Sequence, residues 1–388
     1  MAKKWSSRLT FFAFVVLMVG LGSNDSLRGI FSTIFQEHFS LTTTQLGLIV
    51  TASYIGNLVF LLVGGNLSTR FSKKRVLQVL ILIWMAALAL FAFTSNYTVL
   101  LIGMALALGS STLLNTTMNL ITPLLFATAP GFFVNFLFFT QEIGTSGSQY
   151  ILGSHADGFS FWQHTNLVLL ILGAVAFVLL LFCNVPEEAA APADAPAQKG
   201  GYDWRIIVPY VLVFGFYFIA EHGVMNWMVA YGVDGLGLPQ ASAAKYLSVF
   251  FGGMMIGRLC LSPLVDKLGA LKSLAAFGGV SCVLYLIGSL GGAVTMPVWA
   301  ISGLSFSILY PTLVMSIRLY FPAQQVSGAA GTILSIASLA DILFNVGFGK
   351  LVDMTGYAVS IRVLPLSALA FFIVFMLFTK FCKPIEIK

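Results

Sequence analysis

The 388-residue chain predicts an all-α integral membrane fold, with twelve transmembrane helices arranged as two pseudo-symmetric six-helix bundles. Three observations predict it. First, 58% of residues are hydrophobic and only 9% charged, with a mean hydropathy of +0.94, more apolar surface than one or two water-soluble cores can bury. Second, at about 20 apolar residues per crossing the apolar runs divide into twelve segments. Third, the stretch "VPEEAAAPADAPAQKGGYDW", poor in large apolar residues, interrupts the series after the sixth. The alternating short strands of a β-barrel are absent from the pattern.

In order, the segments fall near 10–36, 45–68, 76–95, 98–126, 131–154, 165–183, 206–232, 241–264, 271–291, 294–319, 326–350 and 359–382. The opening "MAKKWSSRLTFFAFVVLMVGLG" has the basic head and apolar run of a signal peptide. Its helical pattern continues past Asp25 with no A-x-A cleavage site, so it reads as a retained first span. With the N-terminus inside, the cytoplasmic segments collect Lys3, Lys4 and Arg8; Arg70, Lys73, Lys74 and Arg75; Lys199 and Arg205; Lys267 and Lys272; and Lys380, Lys383 and Lys388. The opposite face has little beyond Lys245, Lys350 and Arg362, so the positive-inside rule places both termini in the cytoplasm. The formal net charge of +6 therefore reports topology, and a nucleic-acid partner has no support.

Composition divides the chain into an N-terminal bundle (1–185), a flexible cytoplasmic linker (186–204) and a C-terminal bundle (205–388). Positional similarity links the halves. "GGNLSTRFSKKRVL" after span two corresponds to "SPLVDKLGALKSL" after span eight, and "GSHADG" ending span five to "GKLVDMTG" ending span eleven. Repeats of this kind build transporters from two bundles about a central site. The four cysteines (Cys183, Cys260, Cys282, Cys382) have no metal-ligand or disulfide spacing, and no cofactor motif or nucleophile-base pair points to an enzyme.

"GLGSNDSLRG" places Asn24, Asp25 and Arg28 within span one, where an ionisable side chain is by default a functional-site hypothesis. Asp25 lies about 24 Å along the helix from Leu9. Two readings stay open: an i,i+3 pair that neutralises itself and locks packing, or an arginine fork for solute hydroxyls or a carboxylate beside an acid that carries a proton. Glu142, in "FFTQEIGTSGSQ" with Gln141, is a second candidate proton carrier or else a permanently protonated packing group. Glu221, fifteen residues from Ile206 as Asp25 is from Thr10, is a third. His222 offers a proton relay or a solute contact. Asn115 with Asn119, and Asp341 with Asn345, are i,i+4 pairs suited either to hydroxyls or to interhelical bonds. Asn226 adds an amide, and Trp227, Phe216, Tyr217 and Tyr310 offer rings for stacking on a sugar face. The ionisable groups of spans one, five and seven are expected to share a wet chamber between the halves.

Taken with its loops, the chain resembles the major facilitator superfamily over essentially its whole length. "GGNLSTRFSKKRVL" is similar to that family's loop between spans two and three, with Thr69 where an acid is usual, while Asp266 keeps an acid in the other half. Within the superfamily, "NDSLRGIFSTIFQEHFSLTTTQLGLIVTASYIG" and "GLSFSILYPTLVMSI" resemble the fucose permease group of sugar:proton symporters, with Asp25 on its span-one aspartate and the Tyr310-Pro311 pair kept. "FYFIAEHG" resembles its span-seven stretch, where an acid or amide stands at the place of Glu221. Asn115 stands where the fucose permease has a glutamate, Gln141 where it has an asparagine, and Arg28 where it is apolar.

The resemblance implies a bacterial inner-membrane secondary transporter working by alternating access as a monomer, proton-coupled, with a monosaccharide as solute and no cofactor or metal. Arg70, Asp266 and Arg258, the last near the cytoplasmic end of span eight, are the candidate conformational gate. The alternatives are an exporter or exchanger of organic anions or amphipathic compounds, and a nutrient sensor that binds without translocating.

Overall fold

The computed structural model describes residues 2–126, 130–186, 202–322 and 325–385, with the side chains of 2–6, 62–70, 120, 123, 130–132, 135, 266 and 327 outside that description. The composition-based linker, 186–204, lies mostly outside the described residues. The chain forms two compact units, Met1–Ala195 and Pro196–Lys388.

The first unit contains α1 (Ala2–Ile30), α2 (Ser32–Phe39), α3 (Thr43–Arg70), α4 (Lys73–Phe93), α5 (Tyr97–Leu125), α6 (Pro130–His155) and α7 (Phe159–Leu181). Span one, expected to end near residue 36, continues to Phe39 with a local irregularity at Phe31 (φ −95°, ψ 9°). The bonds Phe31 N–H to Leu27 O and Phe35 N–H to Phe31 O, both 2.9 Å, carry the helix through it. Left-handed Ser40 (φ 50°) then ends it. Side-chain oxygens cap the next starts: Ser72 accepts from Arg75 N–H, and Asn96 from Val99 N–H at 3.2 Å.

Within this unit α1 packs on α6, α3 on α5 and α4 on α7. The first contact is a backbone approach that only glycine permits. A Cβ on Gly22 would lie 2.0 Å from Gln141 O, and one on Gly144 would lie 2.1 Å from Val19 O. Ser23 Oγ donates to Gly144 O (3.3 Å) and Thr145 Oγ1 to Gly22 O (3.2 Å), crossing the same seam. Small residues let membrane helices meet closely where burial from water supplies no driving force. Lys74 Nζ donates to Leu181 O (3.0 Å) and Cys183 O (2.7 Å), fastening the start of α4 to the end of α7.

The second unit contains α8 (Trp204–Ala230), a π-turn (Tyr231–Gly235), α9 (Gln240–Leu268), α10 (Ala270–Leu290), α11 (Met296–Ile301), α12 (Gly303–Phe306), α13 (Leu309–Ser316), α14 (Val326–Thr355), α15 (Tyr357–Ser360) and α16 (Val363–Phe381). Helix α8 packs on α14, α9 on α11 and α12, and α10 on α16. Counted by span, this repeats the first unit's pairing of one with five, two with four and three with six.

Span ten differs from its expected single helix, 294–319. It breaks into α11, α12, α13 and a 3₁₀ turn at Ile317–Leu319. The hydroxyls of Ser302, Ser305 and Ser307 bond carbonyls three residues back, Trp299 O (2.5 Å), Ser302 O (2.9 Å) and Leu304 O (2.7 Å). Pro311 has no N–H to continue the ladder.

Among the described residues, eleven helical segments are long and apolar enough to cross a membrane. Helix α6, which carries the polar run 140–149, is outside that set.

Candidate functional site

In the first unit the polar residues of span one meet α5. Asp25 accepts from Ser111 Oγ at 3.3 and 3.5 Å through its two carboxylate oxygens, and the Asn24 side chain also hydrogen-bonds it. Arg28, one turn further along α1 and buried, brings its positive charge to bear on Asp25. The guanidinium carbon lies 5.4 Å from the centroid of the Tyr54 ring on α3, a cation–π distance.

Helix geometry places Ser111, Asn115 and Asn119 on one face of α5, at i, i+4 and i+8. Asn119 Nδ2 donates to Asn115 Oδ1 and Asn115 Nδ2 to Gln141 Oε1, both at 2.6 Å. The stripe thus ties α5 to both α1 and α6. Glu142 is half-buried on α6, turned about 100° from Gln141, with Oε2 in the interior.

Ser111 and Tyr54 were not among the sequence-derived candidates. For Ser111 a signal existed, since it precedes Asn115 by one helical turn. Tyr54 had none, because an aromatic on span two is indistinguishable from core.

The second unit holds a directional network between α8 and α14. The indole of Trp227 can only donate, and its Nε1 lies 3.0 Å from Asn345 Oδ1. That orients the Asn345 amide so that Nδ2 donates to Asp341, at 2.9 Å to the backbone oxygen and 3.3 Å to Oδ1. Asp341 Oδ2 lies 2.6 Å from His222 Nδ1. Asn226 Nδ2 reaches Asn345 Oδ1 at 3.4 Å. Trp227, expected to offer a stacking face, is wholly buried and has its ring against Phe348 at 4.8 Å.

Glu221 and His222, adjacent in sequence, belong to different groups. His222 faces Asp341, whereas the charge of Glu221 acts on Tyr217, Tyr285 and Tyr310, and that of Arg258 on Tyr217 and Tyr310. Arg258, expected near a helix end, therefore takes part electrostatically in the interior of this unit. Tyr310 packs 6.0 Å from Tyr217 and 6.1 Å from both Phe214 and Phe218. His222 in turn stacks on Phe218 at 5.3 Å with an interplanar angle of 4°. Arg70 and Asp266, the other expected gate residues, have side chains outside the described residues.

Apolar helices surround ordered hydrogen-bonding clusters in each unit, with acid, amide and guanidinium groups in both and an imidazole in the second, the make-up of a polytopic membrane protein. The family model of the Major Facilitator Superfamily matches residues 10–344. The chain belongs to that superfamily.

The L-fucose-proton symporter of Escherichia coli (strain K12) is 24% identical over 333 residues, covering 74% of this chain and 75% of that protein. The glucose/galactose transporter of Brucella abortus biovar 1 (strain 9-941) is 27% identical over 344 residues, covering 82% and 81%. A solved D-xylose-proton symporter superposes with a TM-score of 0.77 at 16% identity, covering 98% of each chain, a likeness of fold.

Proposed function

We propose that this protein is a secondary transporter that moves a monosaccharide across the bacterial inner membrane by alternating access, driven by the proton gradient. The observation that carries the reading is the α5 stripe. Ser111, Asn115 and Asn119, with Gln141 and Asp25 around them, present neutral donors and acceptors matched to sugar hydroxyls, with an acid at one end. The names of the fucose and glucose/galactose relatives support the same solute class.

In this reading Asn24, Asp25, Arg28, Asn115, Asn119 and Gln141 bind the solute from the N-terminal half. Glu221, Asn226 and Tyr310 contribute from the C-terminal half, with Trp227 and Asn345 as positioning residues. Asp25 is the coupling acid, and Glu142 and Glu221 are further acids open to protonation. Coupling is then a difference in solute affinity between protonation states, because only a differential interaction shifts an equilibrium.

The test is uptake of labelled L-fucose, D-glucose and D-galactose into proteoliposomes with and without an inside-alkaline pH gradient. Accumulation above equilibrium only with the gradient is the expected result. Binding of a sugar without exchange or accumulation assigns the chain to the sensor class instead.

The buried charge of Arg28 favours one second reading, an organic-anion carrier. Arg28→Gln separates the two. A sugar carrier loses a charge-assisted hydrogen bond, about 1.5–3 kcal/mol, so KM for the hexose rises roughly tenfold or more while transport persists. An anion carrier loses its selectivity charge and with it the uptake.

A further inference from the structure

We infer that the seam between α3 and α4 is a binding site for one anionic glycerophospholipid, with its phosphate on Arg75, an ester carbonyl on Gln78 and an acyl chain in the apolar groove beside them. The inference depends on the chain spanning a membrane and on nothing about the solute.

The seam lies within the first unit. There α3 pairs with α5 and α4 with α7, and a groove of about 800 Å³ is left beside α4. Clefts that hold small molecules run from about 300 to 1,000 Å³. Buried Val76, Leu80 and Leu113 line the inner side of the groove, and exposed Phe71 and Val79 its outer side. Among the described residues its lining is apolar except for Arg75 and Gln78.

The depth of the groove matches a single leaflet. Arg75 sits in the first turn of α4, and Ile83, the last lining residue on that helix, lies about 12 Å further along. Val59 on α3 lies about 16 Å from the end of that helix at Arg70. Half of a hydrocarbon core about 30 Å thick is about 15 Å. The groove therefore runs from the membrane surface to the midplane, with its cation at the surface end. In the positive-inside orientation that end faces the cytoplasmic leaflet, where the surface potential is negative.

Arg75 and Gln78 stand at i and i+3, on one face of α4 and about 4.5 Å apart along its axis. Neither side chain has a hydrogen-bond partner among the described residues. The neighbouring cations differ, since Lys74 Nζ donates to Leu181 O and Cys183 O, and Lys73 is buried. Helix stability does not account for Arg75 either. Three cations and no acid occupy the first turn of α4, where the helix dipole disfavours positive charge. An anion beside that turn reverses the balance and meets the guanidinium fork, whose geometry suits phosphate oxygens. One turn deeper, the Gln78 amide can donate to an ester carbonyl, the polar group just inside the phosphate of a glycerophospholipid.

Net charge decides the class of lipid. Every glycerophospholipid has the phosphate, but a choline headgroup adds a cation that Lys73, Lys74 and Arg75 repel, and a glycerol headgroup adds none. A basic residue at the membrane surface is worth about fivefold in affinity for anionic lipid.

The test is native mass spectrometry of the delipidated full-length protein in detergent. It is offered equal amounts of dioleoyl phosphatidylglycerol and dioleoyl phosphatidylcholine, which have the same chains. The parent is expected to retain one phosphatidylglycerol per chain, in about fivefold excess or more over phosphatidylcholine. Arg75→Gln is expected to lower that ratio about fivefold. Val79→Trp fills the groove from an exposed position and is expected to abolish retention of both lipids. Lys272→Gln removes an equal charge from an exposed position in the second unit, and is expected to match the parent.

Equal retention of the two lipids by the parent, or of neither, overturns the inference. So does an Arg75→Gln ratio that matches the parent, or a Lys272→Gln ratio that falls as far as that of Arg75→Gln. Gel filtration and far-UV circular dichroism establish that each variant is folded. If Arg75→Gln is not, Val79→Trp decides, and unchanged retention of phosphatidylglycerol by that variant overturns the inference. None of these readings involves transport, so their failure leaves the proposed function standing.

Discussion

Asp25→Asn is expected to lower the sugar gradient supported by one unit of pH gradient about tenfold, because it removes one titrating group. The substitution is close to isosteric, and the Asn oxygen still accepts from Ser111, so the α1–α5 contact keeps its hydrogen bond. Electrostatics change more than shape. The charge of Arg28 loses its nearby anion, and removing one partner of a buried pair costs about 3–5 kcal/mol, less here because Asp25 is only half-buried. A lowered Tm is therefore expected as well. Asp25→Asn combined with Arg28→Gln is expected to recover the Tm without recovering the gradient. Thermal unfolding in detergent and null-point flux measurements check the two halves of this expectation separately. An unchanged null point in the single variant shows that Asp25 is not a coupling acid.

Gly22→Ala is expected to be disruptive out of proportion to its size. The added methyl falls 2.0 Å from Gln141 O, a backbone atom that no rotamer change can move. Helices α1 and α6 must separate by about an ångström, and overpacking of this kind costs about 1–3 kcal/mol, with more where backbones collide. Separation also moves Gln141, the acceptor of the Asn115 amide, away from α5. Both Tm and sugar affinity are expected to fall. Gly147→Ala is the control. It lies on α6, nothing stands within 4 Å of its added carbon, and alanine is the better helix former by up to about 1 kcal/mol. That variant is expected to unfold at or above the parental Tm. Equal behaviour of the two substitutions removes the close-approach argument.

The relation between residue pattern and structure differs between the two kinds of feature. Helix positions follow from hydropathy and span length, so α3 (Thr43–Arg70) and α5 (Tyr97–Leu125) lie within a few residues of the expected 45–68 and 98–126. The broken tenth span was hidden because serine and glycine are ordinary membrane-helix residues. Their back-bonded hydroxyls interrupt the ladder only together with Pro311 and the approach of Gly303 to Phe250 O. Among the site residues, Asp25, Arg28, Asn115 and Asp341 stand out as polar groups in apolar runs. Their partners Ser111 and Tyr54 do not, since a lone serine or tyrosine has too many other uses.

By itself the sequence determined that the chain spans a membrane repeatedly, that it does so in two related halves, and which polar side chains must be sheltered from lipid. These are properties of windows of about twenty residues, where composition and helical period suffice. Only the tertiary structure decided which sheltered group faces which. Glu221 and His222 are neighbours in the chain, yet a turn of about 100° per residue sends one to Tyr217 and the other to Asp341, over a hundred positions away, and no local pattern encodes so distant a partner.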